Sequence, residues 1–576
     1  MAERHTLALK SPFDIELRGT RLVEAGAGTG KTWTLAALVL RLLLELRCEI
    51  GQILVVTYTR AASGELRSRI RARLSEALAA FEAGASEDAY LHALVGRHEA
   101  SEAKARLRLA IESFDEAAIF TIHGFCQRAL GEVAFAAGQP FEREPIHDES
   151  ELLAEVARDA WRKEMAGATP LWAQFLIDTL EGPQGLVERC KDHLGRVTVQ
   201  VATPPPAKRQ AAEDALLEAW GRARTLWHSD AAALHGWLAG ARLRRNIYPA
   251  AKIDDAAATA TAWFSADLPL LPLPESMRLL SRQKIEQGRT KDSPAPGHPF
   301  FIAMDDLWQA AERFQAACDA ALRRFVAEFL AQARELLAQR KQQSGLQSYD
   351  DLLIALATAL DGPAGGRLIE SLRARYRIAL VDEFQDTDAL QLAIFTRIFG
   401  SDTHPLIFVG DPKQAIYAFR GADVFAYLAA RERADAIHAL LENRRSDRPL
   451  IDALNALLMR PRPFLLDDLP YEPAQAADRE RTTCRIEDDA APLTLWRMEK
   501  PAAEKSFTKE LGRTMAAEAV ASDIARLLHL AATGRARLGD RPLSGGDIAV
   551  LVRRHHEGDL VREALLRRGI PSVSSG

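Results

Sequence analysis

Two textures alternate along the chain. In two separated regions, short apolar and β-branched runs sit between long amphipathic stretches. They are 21–25 (RLVEA), 52–57 (QILVVT) and 118–122 (AIFTI) in the first region, and 377–382 (RIALVD) and 405–410 (PLIFVG) in the second. Such runs, bounded by helices or polar loops, predict strands of a parallel sheet covered on both faces. A helical pattern over about 31–46 joins the first two and makes a βαβ unit. Between about 150 and 344 helical periodicity takes over, as in ELLAEVARDAWRKEM and ACDAALRRFVAEFLAQARELLAQRK, with proline breaks at 203–206, 268–275 and 293–299. After about 442 a second α/β pattern begins. It predicts strands at 493–498 (LTLWRM) and 547–553 (DIAVLVR) and a helix ending before Gly569. The fold class is therefore α/β: a parallel-sheet domain, a large α-helical insertion, and part of a second sheet domain.

Composition narrows the classes. The 576 residues are 48% hydrophobic and 27% charged. That suits three to four globular domains of about 150 residues each and excludes disorder as the main state. With 74 Lys and Arg against 79 Asp and Glu, the net charge is −5, so any nucleic acid must occupy a local groove. Cys48, Cys126, Cys190, Cys318 and Cys484 form no CxxC pair, which argues against a disulfide framework and a zinc ribbon. The N-terminal stretch carries charge throughout, and no run of 18 apolar residues occurs. A cytoplasmic protein with no membrane span is expected.

Candidate chemistry sits at the strand ends. Ala25-Gly26-Ala27-Gly28-Thr29-Gly30-Lys31-Thr32 follows a predicted strand and opens a helix, the context a phosphate-binding P-loop requires. Glycines let the backbone wrap phosphates, and helix N-terminal N–H groups point at the anion. Lys31 supplies charge to the β- and γ-phosphates, and Thr32 offers a hydroxyl to Mg²⁺. Ala25 stands where the strict pattern has glycine. Asp382 and Glu383 end the strand 377–382; Asp382 would hold Mg²⁺, and Glu383 would orient or deprotonate the attacking water. Gln414, after the strand 405–410, is placed to reach a γ-phosphate. Thr59 and Arg60, after the strand 52–57, are candidates for DNA phosphates, and Tyr58 for a base. Tyr417, Phe419 and Arg420 follow Gln414 closely and suggest a stacking platform for single-stranded nucleic acid. Arg67, Arg69, Arg71 and Arg73 alternate around one helix and are read as a solvated face.

Together the stretches LVEAGAGTGKTWTLAALVLRLLLE, ILVVTYTRAASGELRSRI, AAIFTIHGFCQRAL, LVDEFQDTDALQ, VGDPKQAIYAFRGAD and ENRRSDRPLI resemble superfamily 1 helicases of the UvrD/Rep type, in the family's order. Phe135, Gly138, Phe141 and Asp148-Glu149-Ser150 favour the RecB-like branch. The resemblance implies a RecA-like motor domain over 1–149 and 345–441, a helical inserted domain over 150–344, and the start of a second RecA-like domain over 442–576. It implies ATP and Mg²⁺ as cofactors and 3′-to-5′ movement on single-stranded DNA. It also implies action on duplex ends together with RecC-like and RecD-like subunits. By the same resemblance Arg445 contacts the γ-phosphate and His123 contacts single-stranded DNA. Ser348-Tyr349-Asp350-Asp351-Leu352 matches a family block to which no chemistry is assigned. The adenine-reading glutamine of the family has no counterpart in 15–19. No block resembles the fifth and sixth helicase motifs or the nuclease domain, so the chain is read as an N-terminal portion of a longer protein. An AddA-type or stand-alone UvrD-like helicase, and a non-motor ATP-gated DNA-binding module, remain alternatives.

Overall fold

Seven short strands build one parallel sheet: β1 (Leu7–Ala8), β2 (Thr20–Ala25), β3 (Ile53–Thr57), β4 (Ile119–Thr121), β5 (Ile378–Val381), β6 (Leu406–Gly410) and β7 (Ala436–Leu440). Their spatial order is β1-β7-β2-β6-β5-β3-β4. The computed structural model describes residues 6–132, 144–146, 148–194, 201–417, 422–477, 484–488, 491–502 and 506–574. The chain divides into two units: Met1–Gln139 with Ala355–Gly576, and Pro140–Ile354.

The first unit holds the sheet. All five strands expected in its two regions form. β3, β5 and β6 are buried along their whole length, which is why they read as continuous apolar runs. Each fully buried Val, Leu or Ile contributes about 1.5–3 kcal/mol. The helix Lys31–Leu44 buries every residue from Thr34 to Leu44. Because the strands are parallel, the loops after β2, β3, β5, β6 and β7 emerge at one edge, where ligands bind in open α/β sheets. The strand β7 was not expected: AIHAL is poor in β-formers, and its place between β1 and β2 imposes the conformation.

Two expected strands do not form. Residues 493–498 and 547–553 pair with no described strand; Leu495 is 78% and Leu551 95% exposed. The apolar pattern is there, but a strand exists only where a neighbour takes its N–H and C=O groups. After 442 the described residues form a parallel pair, Glu442–Asn443 with Gln475–Ala476, and an antiparallel sheet of Cys484–Ile486, Ala536–Leu538 and Arg541–Pro542 beside the helix Lys509–Ala532. The arginine face on the helix Arg60–Ala83 is also corrected. Arg73 is buried, pairs with Glu76 and Asp88 and lies over the Trp33 ring. Arg67 turns inward to the carbonyls of Ala117 and Ile119. Only Arg69 and Arg71 face solvent.

The second unit is mostly helical, from Ser150–Ala166 to the 45-residue helix Pro299–Gln343. Its core stacks Trp172, Trp227, Phe264, Phe300, Phe301 and Phe314. Where the chain enters and leaves this unit, Glu144–Ile146 and Leu346–Ser348 pair in parallel. Phe135, Gly138 and Phe141 lie outside the described residues. Among the described residues, no single helix is long and apolar enough to cross a membrane.

Candidate functional site

The P-loop is a closed turn. The backbone N–H and Oγ1 of Thr29 both donate to the Gly26 carbonyl, at 3.2 and 2.8 Å. Gly28 and Gly30 take positive φ, +79° and +96°, which L side chains rarely adopt. Gly30 caps the helix Lys31–Leu44 without a side chain. The first N–H groups of that helix, Lys31 and Thr32 included, are thus left for an anion. Ala25, the departure from the glycine pattern, is the last residue of β2, buried and paired with Leu440. It belongs to the sheet rather than to the turn.

The segment after β7 lies on this loop. The Nδ2 of Asn443 donates to the Ala27 carbonyl (2.9 Å), and the Arg444 N–H donates to the Gly28 carbonyl (2.7 Å). The Oδ1 of Asn443 accepts from the N–H groups of Arg445 and Ser446. A Cβ on Gly28 would stand 2.4 Å from the Arg445 Cβ. Arg445 is therefore brought to the phosphate loop from 417 positions down the chain.

The carboxylates come next along the edge. The Asp382 N–H donates to the Val56 carbonyl at 2.8 Å, and Asp382 Oδ1 accepts from the Glu383 N–H at 2.9 Å. Glu383 has φ +50°, a left-handed conformation uncommon outside glycine that redirects its side chain. Its Oε2 pairs with Lys31 Nζ and accepts from Gln385 Nε2 (2.7 Å). Burial, then the neighbouring Glu383 charge, push the Asp382 carboxyl up to about 6, against the pull of Lys31. Asp386 is pushed up to about 6 by the same causes, and its Oδ1 is buried without a hydrogen-bond partner. Asp382 and Asp386, crowded beside Glu383 and pushed up by burial, offer carboxylate oxygens of the kind that suits Mg²⁺, a hard cation that takes oxygen ligands.

The loop after β6 completes the edge. Asp411, 3% exposed, accepts from Gln414 Nε2 at 2.8 Å and pairs with Lys413 Nζ at 2.9 Å. Its own N–H donates to Gln385 Oε1 at 3.0 Å. A cavity of about 470 Å³ is lined by Glu383, Gln385, Asp386, Lys413 and Gln414 together with Tyr58, Thr59 and Tyr417. The Tyr58 and Tyr417 rings stack, with centroids 6.2 Å apart and planes 17° apart. The Thr59 hydroxyl caps the helix Arg60–Ala83 by accepting from the Ala62 N–H, and Arg60 opens that helix, exposed. His123 is half-buried on the helix Ile122–Glu132, with its pKa lowered by burial, and does not line the cavity. Phe419 and Arg420 lie outside the described residues. Four polar residues were missed: Gln385, Asp386, Asp411 and Asn443. All four stand within blocks already singled out, two or three positions from residues that were named. Nothing local marked them.

The model of the UvrD/REP helicase N-terminal domain matches residues 10–435. The RecBCD enzyme subunit RecB of Escherichia coli (strain K12) is 35% identical over 581 residues, 98% of this chain and 48% of the relative. That of Haemophilus influenzae is 30% identical over 98% of this chain and 50% of the relative. That of Mycobacterium tuberculosis (strain H37Rv) is 31% identical over 97% of this chain and 40% of the relative. The chain spans about half the length, or somewhat less, of these curated relatives.

Proposed function

The chain belongs to the UvrD/REP helicase family, and from that premise we propose that it drives ATP-powered 3′-to-5′ movement on single-stranded DNA in a RecB-like helicase. It would do so in the cytoplasm, on DNA double-strand ends, with RecC-like and RecD-like subunits as partners. The observation that carries the reading is the Lys31–Glu383 pair. It joins the P-loop to the strand-end carboxylates across 352 residues of sequence, with Gln414 and the two tyrosines lining the same cavity.

In this reading Gly26–Thr32 cradle the phosphates, with Ala25 as the buried strand end that leads into them, and Lys31 leaves Glu383 for the β- and γ-phosphates. Thr32 and Asp382 would hold Mg²⁺, which supplies positive charge to the phosphate oxygens. Glu383, released from Lys31, orients the attacking water and accepts its proton. Gln414 and Arg445 contact the γ-phosphate; Arg445 stabilises the charge that spreads over its oxygens. Tyr58 and Tyr417 stack on bases, while Thr59 and Arg60 contact DNA phosphates. His123, Phe419 and Arg420 are assigned to the same track by resemblance.

The test is a pair of substitutions. Lys31→Ala should weaken ATP binding or cut turnover by roughly 10²-fold or more. Glu383→Gln keeps shape and hydrogen bonding but loses the base. It should bind ATP while DNA-stimulated hydrolysis falls by about 10²–10⁴-fold. Nucleotide titrations and phosphate release read both, and turnover of Glu383→Gln within about twofold of the parent would remove Glu383 from the role.

A further inference from the structure

The side chain of Gln385 is buried, 3% exposed, and makes two bonds of opposite sense. Its Nε2 donates to Glu383 Oε2 at 2.7 Å, and its Oε1 accepts from the Asp411 N–H at 3.0 Å. Chemistry fixes this orientation, since a carboxylate only accepts and a backbone N–H only donates. The approach is tight enough to constrain the neighbouring strand. A Cβ on Gly410 would stand 2.7 Å from Gln385 Oε1 and 3.1 Å from the Phe384 nitrogen. Position 410 must be bare for the amide to lie where it does. Beyond Asp411 the chain of bonds continues to Gln414 Nε2.

We propose that Gln385 is a positioning residue that ties the water-activating carboxylate to the loop bearing the γ-phosphate sensor. This rests on the roles given above to Glu383 and Gln414. Lys31 and Gln385 both bond the Oε2 of Glu383. Phosphates draw Lys31 away, and the amide then remains to fix the orientation of Glu383. The same amide holds the Asp411 N–H, so a shift of Glu383 is passed to the backbone that begins the loop 411–417. Gln385 acts through Glu383: it sets where Glu383 points and makes the two loops respond together.

Two variants separate its halves. Gln385→Glu keeps the acceptor for the Asp411 N–H and loses the donor to Glu383. Gln385→Met keeps much of the volume and loses both. Each is measured in the protein by binding of a non-hydrolysable ATP analogue, by kcat and KM for MgATP with single-stranded DNA, and by amide hydrogen exchange over 410–417 with and without analogue. Both variants should bind the analogue within about twofold of the parent and lose kcat by about 10–10²-fold, since a small misplacement of a reacting group costs on that order. The exchange response of 410–417 to the analogue should disappear in both. Basal protection of the Asp411 amide should survive in Gln385→Glu and fall in Gln385→Met. The exchange readout stands even where turnover is slow. A Gln385→Met protein with parental kcat and a parental exchange response overturns the proposal. If Glu383→Gln abolishes turnover in the same assays, that failure is confined to Gln385. If Glu383→Gln turns over normally, the assignment of the base falls and the proposal falls with it.

Discussion

Asp382 sits where its charge is least welcome, 7% exposed and next to Glu383, with its carboxyl pushed up to about 6 from an ordinary 3.8. Between those values the folded chain holds a proton that the unfolded chain has released. Stability therefore falls as pH rises from about 4 to about 6, and the loss persists in full above that window. Asp382→Asn removes the titration and keeps an oxygen for the Glu383 N–H. Without divalent cation at about pH 7.5 the variant should be more stable by about 1–3 kcal/mol, with the gain gone near pH 4. Mg²⁺ should raise the melting temperature of the parent and leave the variant unmoved. Thermal melts across pH, with and without Mg²⁺, check both; equal melting at neutral pH would mean that Lys31 already compensates the charge. At this scale the charged residues were legible because a strand-end carboxylate pair in a chain with a P-loop has few other uses. Gln385 and Asp411 were not, because an amide and a turn aspartate have many. Only the sheet order, which puts β5 beside β6, gives them a shared purpose.

The block Ser348-Tyr349-Asp350-Asp351-Leu352 shows what an element can hide from its sequence. Lys341, near the end of the helix Pro299–Gln343 and 6% exposed, extends its Nζ to Asp351 Oδ1 (2.7 Å), Glu149 Oε1 (2.8 Å) and Ser348 Oγ (3.3 Å). Glu149 precedes the first long helix of the unit, and Ser348 ends the short strand that leads out of it. One buried ammonium thus fastens the entering and leaving chain beside the parallel pair Glu144–Ile146 and Leu346–Ser348. Removing one member of a buried charge cluster strands the others. Lys341→Met should cost about 3–5 kcal/mol in denaturant unfolding, and adding Glu149→Gln with Asp351→Asn should recover much of it. If Lys341→Met costs less than about 1 kcal/mol, the cluster behaves as a surface pair. The sheet strands were legible because burial on both faces writes an apolar run. The strand β7 was hidden by Ala and His, and 493–498 carries the pattern of a strand without the neighbour that would make it one.

Over the whole molecule the net charge is −5, so no general field holds a polyanion. The proposed affinity for single-stranded DNA would have to come from a few stacked bases and a few local phosphate contacts. The stacked Tyr58 and Tyr417 rings open on the cavity that also holds Glu383 and Gln414, which puts the proposed track within one cavity of the proposed hydrolysis site. If Tyr417 carries a base, Tyr417→Ala should lose about 1–3 kcal/mol of single-strand affinity, by similar amounts for different base sequences, since every base has a π-face. Stacking releases no counterion, so the slope of log affinity against log salt should hold. Arg60→Ala should instead flatten that slope by about 0.7, the amount expected for one phosphate on a single strand. DNA titrations at several salt concentrations, paired with melting curves, separate these from a packing role. A Tyr417→Ala protein that melts earlier while its folded fraction binds single strands as the parent does would make the tyrosine pair part of the core. The track would then have to be sought along Thr59, Arg60 and the residues assigned to it by resemblance.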